Sequence, residues 1–278
     1  VGNITTSGMV RSDFIQYWNQ IAPENEGHWT SVESVRDQYN WGPLDRVYNY
    51  AREHGILFKQ QTLVHGGPRP SWSALPQAEI AEEFEEWFQD FCSRYPDKDL
   101  IDVVSEALLG HFPAYHAQVA FGDDWIIRSF QLVKQYCPNS ILILNDYNVI
   151  RWETEEFIEM ARPVVQSGYV DAIGLQAHNL EDLPGSEIQK QLDYLWEQLQ
   201  IPMYISEYDV GLCDDEEQLS TYQEQFPVLY NHPHIKGITI WGYVSGKTWI
   251  ECSGLVRQDG THRPAMTWLM QYIADNPR

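Results

Sequence analysis

Positive charge is scarce in this sequence: 18 Lys and Arg stand against 40 Asp and Glu, a formal net charge of −22 over 278 residues. Such a surface repels phosphate backbones and anionic headgroups, which sets nucleic acid and membrane surfaces aside and favours a neutral substrate. Long apolar runs are also missing, and none approaches the roughly 18 residues that span a bilayer. The chain opens on Val1 with no basic segment leading into an apolar stretch, so it reads as a mature or excised domain. Cysteine is sparse: Cys92, Cys137, Cys213 and Cys252 are far apart and form no C-x-x-C pair. That spacing argues against a zinc ribbon or a dithiol redox centre. The four read as buried thiols, or as one disulfide linking two of them. No repeat of solenoid length, Ser/Gly-rich linker or low-complexity block divides the sequence, so residues 1–278 are expected to form one domain.

What the sequence does contain is alternation. Short apolar runs, "VGNIT", "NQIAPENE", "ILFKQQTLV", "LIDVVSE", "SILILNDYN", "VDAIGLQAH", "PMYISEYDV" and "IKGITIWGY", supply eight candidate strands. Between them lie stretches whose apolar residues recur three and four positions apart, among them "PLDRVYNYAREHG", "AEIAEEFEEWFQDFCSRY", "TEEFIEMARPVVQSG" and "EIQKQLDYLWEQLQ". "AREHG" and "VVQSG" close on the glycine expected after a helix. Eight strands alternating with helices indicate an α/β fold, a single (β/α)8 barrel.

A barrel of this kind keeps its chemistry at the C-terminal ends of its strands. Polar and aromatic residues do gather there: Glu24 and Asn25, Gln61 and His65, Ser105 and Glu106, Asn145 to Asn148 with Tyr147 among them, Gln176 and His178, Glu207 and Asp209, Trp241 and Trp249. A core histidine or a solvated glutamate accounts for any one of these, but not for their convergence on one mouth. Glu106 and Glu207 follow the fourth and seventh runs and are expected to face each other across it. Paired carboxylates suit glycoside cleavage, one protonating the leaving oxygen and the other attacking the anomeric carbon. Flat aromatic faces and neutral amides would hold a sugar. Histidines 65, 111 and 116 lack acidic partners at ligand spacing and are not expected to bind metal.

The motifs carry a resemblance over nearly the whole chain. "IAPENEGHW" is similar to T-P-E-N-E-M-K-W, "QTLVHG" to H-T-L-V-W-H and "IDVVSEAL" to W-D-V-V-N-E-A. "LILNDYN", "IGLQAH", "ISEYDV" and "ITIWGYVSGKTW" match the following strands in order. The chain thus resembles the xylanases of glycoside hydrolase family 10. The resemblance implies a secreted retaining endo-β-1,4-xylanase, probed by a neutral xylan substrate, acting without a cofactor and as a monomer. It casts Glu106 as general acid and then base, with a raised pKa, and Glu207 as nucleophile. His178 and Asp209 would support the nucleophile. Glu24, Asn25, His28, Gln61, His65, Ser105, Asn145, Tyr147, Gln176, Trp241 and Trp249 would bind substrate.

Several positions depart from the pattern. Ser105 stands for an asparagine that bonds the sugar's 2-hydroxyl, Gln61 for a histidine, His65 and Gly66 for a Trp-His pair, His28 for a lysine and Ile101 for a tryptophan. All are expected on the glycone side, where loss of bulk at residues 65 and 66 would open space. On this reading Ser105→Asn should raise activity on plain xylooligosaccharides. Three activities therefore stay open: a xylanase with reshaped glycone subsites, a retaining β-glycanase of another backbone, and a barrel that binds glycan without cleaving it.

Overall fold

The computed structural model describes residues 1–96 and 99–278. Among these, eight parallel strands follow one another round a closed barrel: β1 Gly2–Ile4, β2 Gln20–Ala22, β3 Leu57–Gln60, β4 Leu100–Ser105, β5 Ile141–Asp146, β6 Ala172–Ala177, β7 Met203–Tyr208 and β8 Ile235–Ile240. β8 returns to pair with β1, as the sequence pattern predicts. The strands are shorter than their apolar runs because the ends of those runs leave the sheet to build the mouth. "PENE" after β2 is loop, and of "QTLV" after β3 only Val64 returns to the sheet, as an isolated bridge to Val104.

The helices cover the outside. They are α1 Trp29–Val32, α2 Gly42–His54, α3 Gln77–Arg94, α4 Tyr115–Phe121, α5 Trp125–Tyr136, α6 Thr154–Gln166, α7 Gly185–Leu199, α8 Asp215–Asn231 and α9 Pro264–Asp275. α2 carries a proline in its first turn and stops at Gly55 in the left-handed region, φ 63°. Asp214 caps α8 by accepting from the amides of Glu216 and Glu217. Leu44, Phe84, Phe130, Phe157, Leu192 and Phe226 are fully buried from these helices against the strands.

All four cysteines are bridged, which corrects the expectation of free thiols or a single bond. Cys92–Cys137 ties the end of α3 to the end of α5, and Cys213–Cys252 ties the loop after β7 to the loop after β8. Inside the barrel, Lys59 of β3 and Asp102 of β4 form a buried ion pair at 2.7 Å. Burial pushes the Asp102 carboxyl up to about 6 even though Lys59 draws it down. No helix among the described residues is long and apolar enough to cross a membrane.

Candidate active site

The C-terminal mouth holds a cavity of about 530 Å³. β4 and β7 each break register just before it, β4 between Asp102 and Val104 and β7 between Ile205 and Tyr208. Bulges of this sort re-aim the residues that follow. Glu106 leaves β4 with φ 60°, a left-handed conformation uncommon outside glycine. Its amide bonds to the carbonyl of Asn145 at 2.9 Å, so the neighbouring strand fixes this turn.

Both carboxylates are held from two sides. Glu207 Oε1 accepts from Gln61 Nε2 at 3.1 Å, and its Oε2 lies 3.0 Å from His178 Nε2. The other ring nitrogen, His178 Nδ1, lies 2.8 Å from Asp209 Oδ2, which also accepts from Trp249 Nε1 at 3.0 Å. Burial draws the His178 pKa down, but the charges and hydrogen bonds of Asp209 and Glu207 outweigh it and raise it to about 10. His178 is therefore an imidazolium below that pH, and both its N–H groups donate. It fixes where the Glu207 carboxylate points.

Glu106 departs from expectation. Gln176 Nε2 donates to its Oε1 at 3.0 Å, and His65 Nε2 sits 3.0 Å from its Oε2. Burial pushes its pKa up, but the bonds from His65 and Gln176 prevail and leave it below the usual value. This direction is opposite to the raised pKa expected of an acid. Gln176 reaches both sides of the site, since its backbone is in register with Glu207 while its amide holds Glu106.

The walls come from the remaining strand ends. Glu26, buried beneath the β2 loop, accepts from Thr5 Oγ1 and the Asn25 amide and so presents Glu24 and Asn25 upward. Gly27 permits this loop to lie on β3, because a Cβ there would stand 2.5 Å from the Gln61 carbonyl oxygen. Burial lowers the His28 pKa to about 4 and keeps that ring neutral. On the opposite wall Tyr147 stacks on His111 with ring centres 3.6 Å apart. His111 is itself held between Asp146 at 2.6 Å and Glu153 at 2.7 Å. His116 packs against Trp29 and Phe84, so the three histidines weighed as metal ligands have separate surroundings.

All but three of the sequence-predicted residues line the cavity. Asp209 lies behind His178, in keeping with a supporting place. Ser105 and Asn145, expected against the sugar, are instead 1% and 0% exposed and bond to each other, Asn145 Nδ2 donating to Ser105 Oγ at 3.0 Å. Ile101 is also a core residue, opposite Gln60 and Leu142 inside the sheet. Nor does Gly66 open space: a Cβ there would meet the carbonyl oxygens of Phe112 and Pro113 at 2.3 and 2.4 Å. Phe112 and Asn179 line the cavity and were not expected, and Asn148, read as part of the fifth strand end but given no substrate role, joins them. Asn148 and Asn179, each one residue past a named site position, have φ of 61° and 55°, a conformation asparagine tolerates and a signal available in the sequence.

A parallel barrel that gathers paired carboxylates, neutral amides and tryptophans at its C-terminal mouth is built as a carbohydrate-cleaving enzyme. The family model for Glycosyl hydrolase family 10 matches residues 2–272. The chain is 58% identical over 271 residues to endo-1,4-beta-xylanase B of Cellvibrio japonicus (strain Ueda107), covering 97% of this chain and 45% of that protein. It is 23% identical over 275 residues to endo-1,4-beta-xylanase A of Caldicellulosiruptor saccharolyticus, covering 87% of this chain and 80% of that one. Xylanase 10B from Thermotoga petrophila RKU-1, solved in complex with xylobiose, shares the fold with a TM-score of 0.87 at 22% identity over 99% of this chain and 93% of that one. The chain belongs to glycosyl hydrolase family 10 and is a glycoside hydrolase. It spans less than half the length of the Cellvibrio relative.

Proposed function

We propose that this chain is a retaining endo-1,4-β-xylanase. In the first step the Glu207 carboxylate attacks the anomeric carbon of a xylosyl unit while Glu106 gives its proton to the departing glycosidic oxygen. The C–O bond to the leaving sugar breaks as the glycosyl ester on Glu207 forms. In the second step Glu106, now ionised, takes a proton from water, whose oxygen displaces Glu207 and frees the product. The observation that carries this reading is the unequal bonding of the two carboxylates. Glu207 faces an imidazolium backed by Asp209, which suits a group that must stay charged. Among the described residues Glu106 has no such buttress and is held by Gln176 and His65.

The 58% identity to a named xylanase supports xylan as the substrate over another β-glycan, and so does the backbone that fills the space beside Gly66. A barrel that only binds glycan would have no use for a buttressed nucleophile. We further read residues 1–278 as one catalytic domain acting as a monomer; the single-domain reading is supported by the family model's run from residue 2 to residue 272 over one closed barrel. Two disulfides support secretion into an oxidising medium, where a plant polymer would be met. Glu207→Ala should fold normally and lose at least about 10⁴-fold in kcat on soluble xylan, the loss expected when a covalent nucleophile is removed. Reducing-sugar release at an undiminished rate would refute the assignment.

A further inference from the structure

The loop after β3 places a histidine on the group assigned as acid and base, and the geometry fixes which nitrogen of that histidine carries hydrogen. A backbone amide can only donate, and the Gly67 N–H points at His65 Nδ1 at 2.8 Å. Nδ1 must therefore present a lone pair, which puts the ring hydrogen on Nε2, the atom 3.0 Å from Glu106 Oε2. The ring is clamped on its face as well: Phe112 stacks on it with centres 5.8 Å apart. Gly66 then anchors the loop by donating to the Phe112 carbonyl at 3.0 Å. Resting on the role proposed above for Glu106, we propose that His65 is a positioning residue that holds Glu106 as an aimed, ionised carboxylate through an Nε2–H bond whose direction is set by Gly67.

The consequence for pH follows from the sign of that bond. Glu106 must be protonated to release the leaving sugar, so kcat/KM falls as pH rises through its pKa. A donor to Oε2 favours the ionised form and moves this falling limb to lower pH. The same bond helps the second step, where Glu106 must be a base. Other groups also face Glu106: His28 from the β2 loop, His111 from the β4 loop, Tyr147 after β5 and Gln176 on β6. Glu207 lines the same cavity from β7. His65→Phe leaves all of these in place and keeps a ring for Phe112 to stack on, removing the donor to Glu106 together with the Nδ1 acceptor of the Gly67 amide.

The test is the pH profile of kcat/KM on xylohexaose for the wild type, His65→Phe and His65→Gln, with melting curves to confirm folding. The alkaline limb of His65→Phe should move up by about one pH unit, equal to about a tenfold gain in the protonated fraction above the limb. His65→Gln retains an N–H donor near the Nε2 position and should keep its limb nearer the wild type. Should the phenylalanine not fold, His65→Asn serves instead, since its shorter amide falls short of Glu106. Coincident limbs in all variants, or equal shifts with Phe and Gln, would overturn the proposal. Glu106→Gln with added azide separates this from the function itself. If that variant is inactive on xylan and azide restores turnover of an aryl xyloside, Glu106 keeps its role, and an unmoved His65→Phe limb then condemns only the His65 bond. If Glu106→Gln hydrolyses xylan at the wild-type rate, both readings fall.

Discussion

Ser105 Oγ accepts from Asn145 Nδ2, and Asn145 Oδ1 in turn accepts from Ser206 Oγ at 2.5 Å, so β4, β5 and β7 are stitched together across the barrel interior under the mouth. Gly174 closes the fourth side, where a Cβ would stand 2.7 Å from Asn145 Oδ1. A larger amide at residue 105 has nowhere to go without breaking this chain of bonds. Ser105→Asn should therefore cost about 1–3 kcal/mol of stability through overpacking. It should not raise kcat/KM on xylooligosaccharides. Urea unfolding and initial rates check both, and a faster variant of wild-type stability would show that residue 105 does reach the sugar. The sequence conveyed which residues end the strands, because a parallel barrel sends every strand end to one mouth. It did not convey which of them turn inward. A strand buried on both faces has no polar alternation to reveal parity, and the bulge between Asp102 and Val104 shifts what parity there is. Glu106 was legible for that reason and the burial of Ser105 was not.

At the scale of elements, the two disulfides do different work. Cys92–Cys137 joins two outer helices through Cα atoms 5.4 Å apart, at the helix ends that lead into the starts of β4 and β5 and so away from the strand ends that form the site. Cys213–Cys252 joins the two loops that carry Asp209 and Trp249, the pair that back His178. Arg263 reinforces this join by donating to the carbonyls of Leu212, Cys252 and Gly254. By loop-closure entropy each bridge is worth up to about 4 kcal/mol. Replacing Cys92 and Cys137 by serine should lower Tm and leave kcat and KM of the folded enzyme unchanged. The same change at Cys213 and Cys252 should lower Tm and also raise KM several-fold, because Trp249 loses its tether. Equal kinetics in the two double variants would show that the loop keeps its shape without the bond. Periodicity revealed the strands and the longer helices, since both rest on local pattern. α9 went unread because "PAMTWLMQYIAD" follows a long loop outside the strict alternation, although Pro264 at its start is a recognisable helix signal. The pairing of cysteines was beyond reach because it is a fact of tertiary distance.

At the scale of the molecule, a charge of −22 surrounds a cavity lined mostly by neutral amides, hydroxyl and rings. The field of such a surface extends about 10 Å at 0.1 M salt and contracts to about 3 Å at 1 M. A neutral xylooligosaccharide feels none of it. A xylan decorated with uronic acids is a polyanion and is pushed away during encounter, in the reverse of the steering that speeds oppositely charged partners. Raising salt from 0.02 to 0.5 M should therefore raise kcat/KM on glucuronate-bearing xylan by about threefold or more. On neutral xylohexaose the change should stay within about twofold, since no long-range charge term is being screened. The gain should lie in KM and leave kcat nearly constant, because the field acts on approach and the chemistry takes place inside a walled cavity. A salt response of equal size on both substrates would mean that salt acts on the protein itself and would refute repulsion at long range. The outcome also bears on which xylans the enzyme meets productively. Exclusion of charged chains by the surface is a selectivity that no residue of the pocket supplies, and it follows from acidic side chains spread over the outer helices, where a motif search finds nothing.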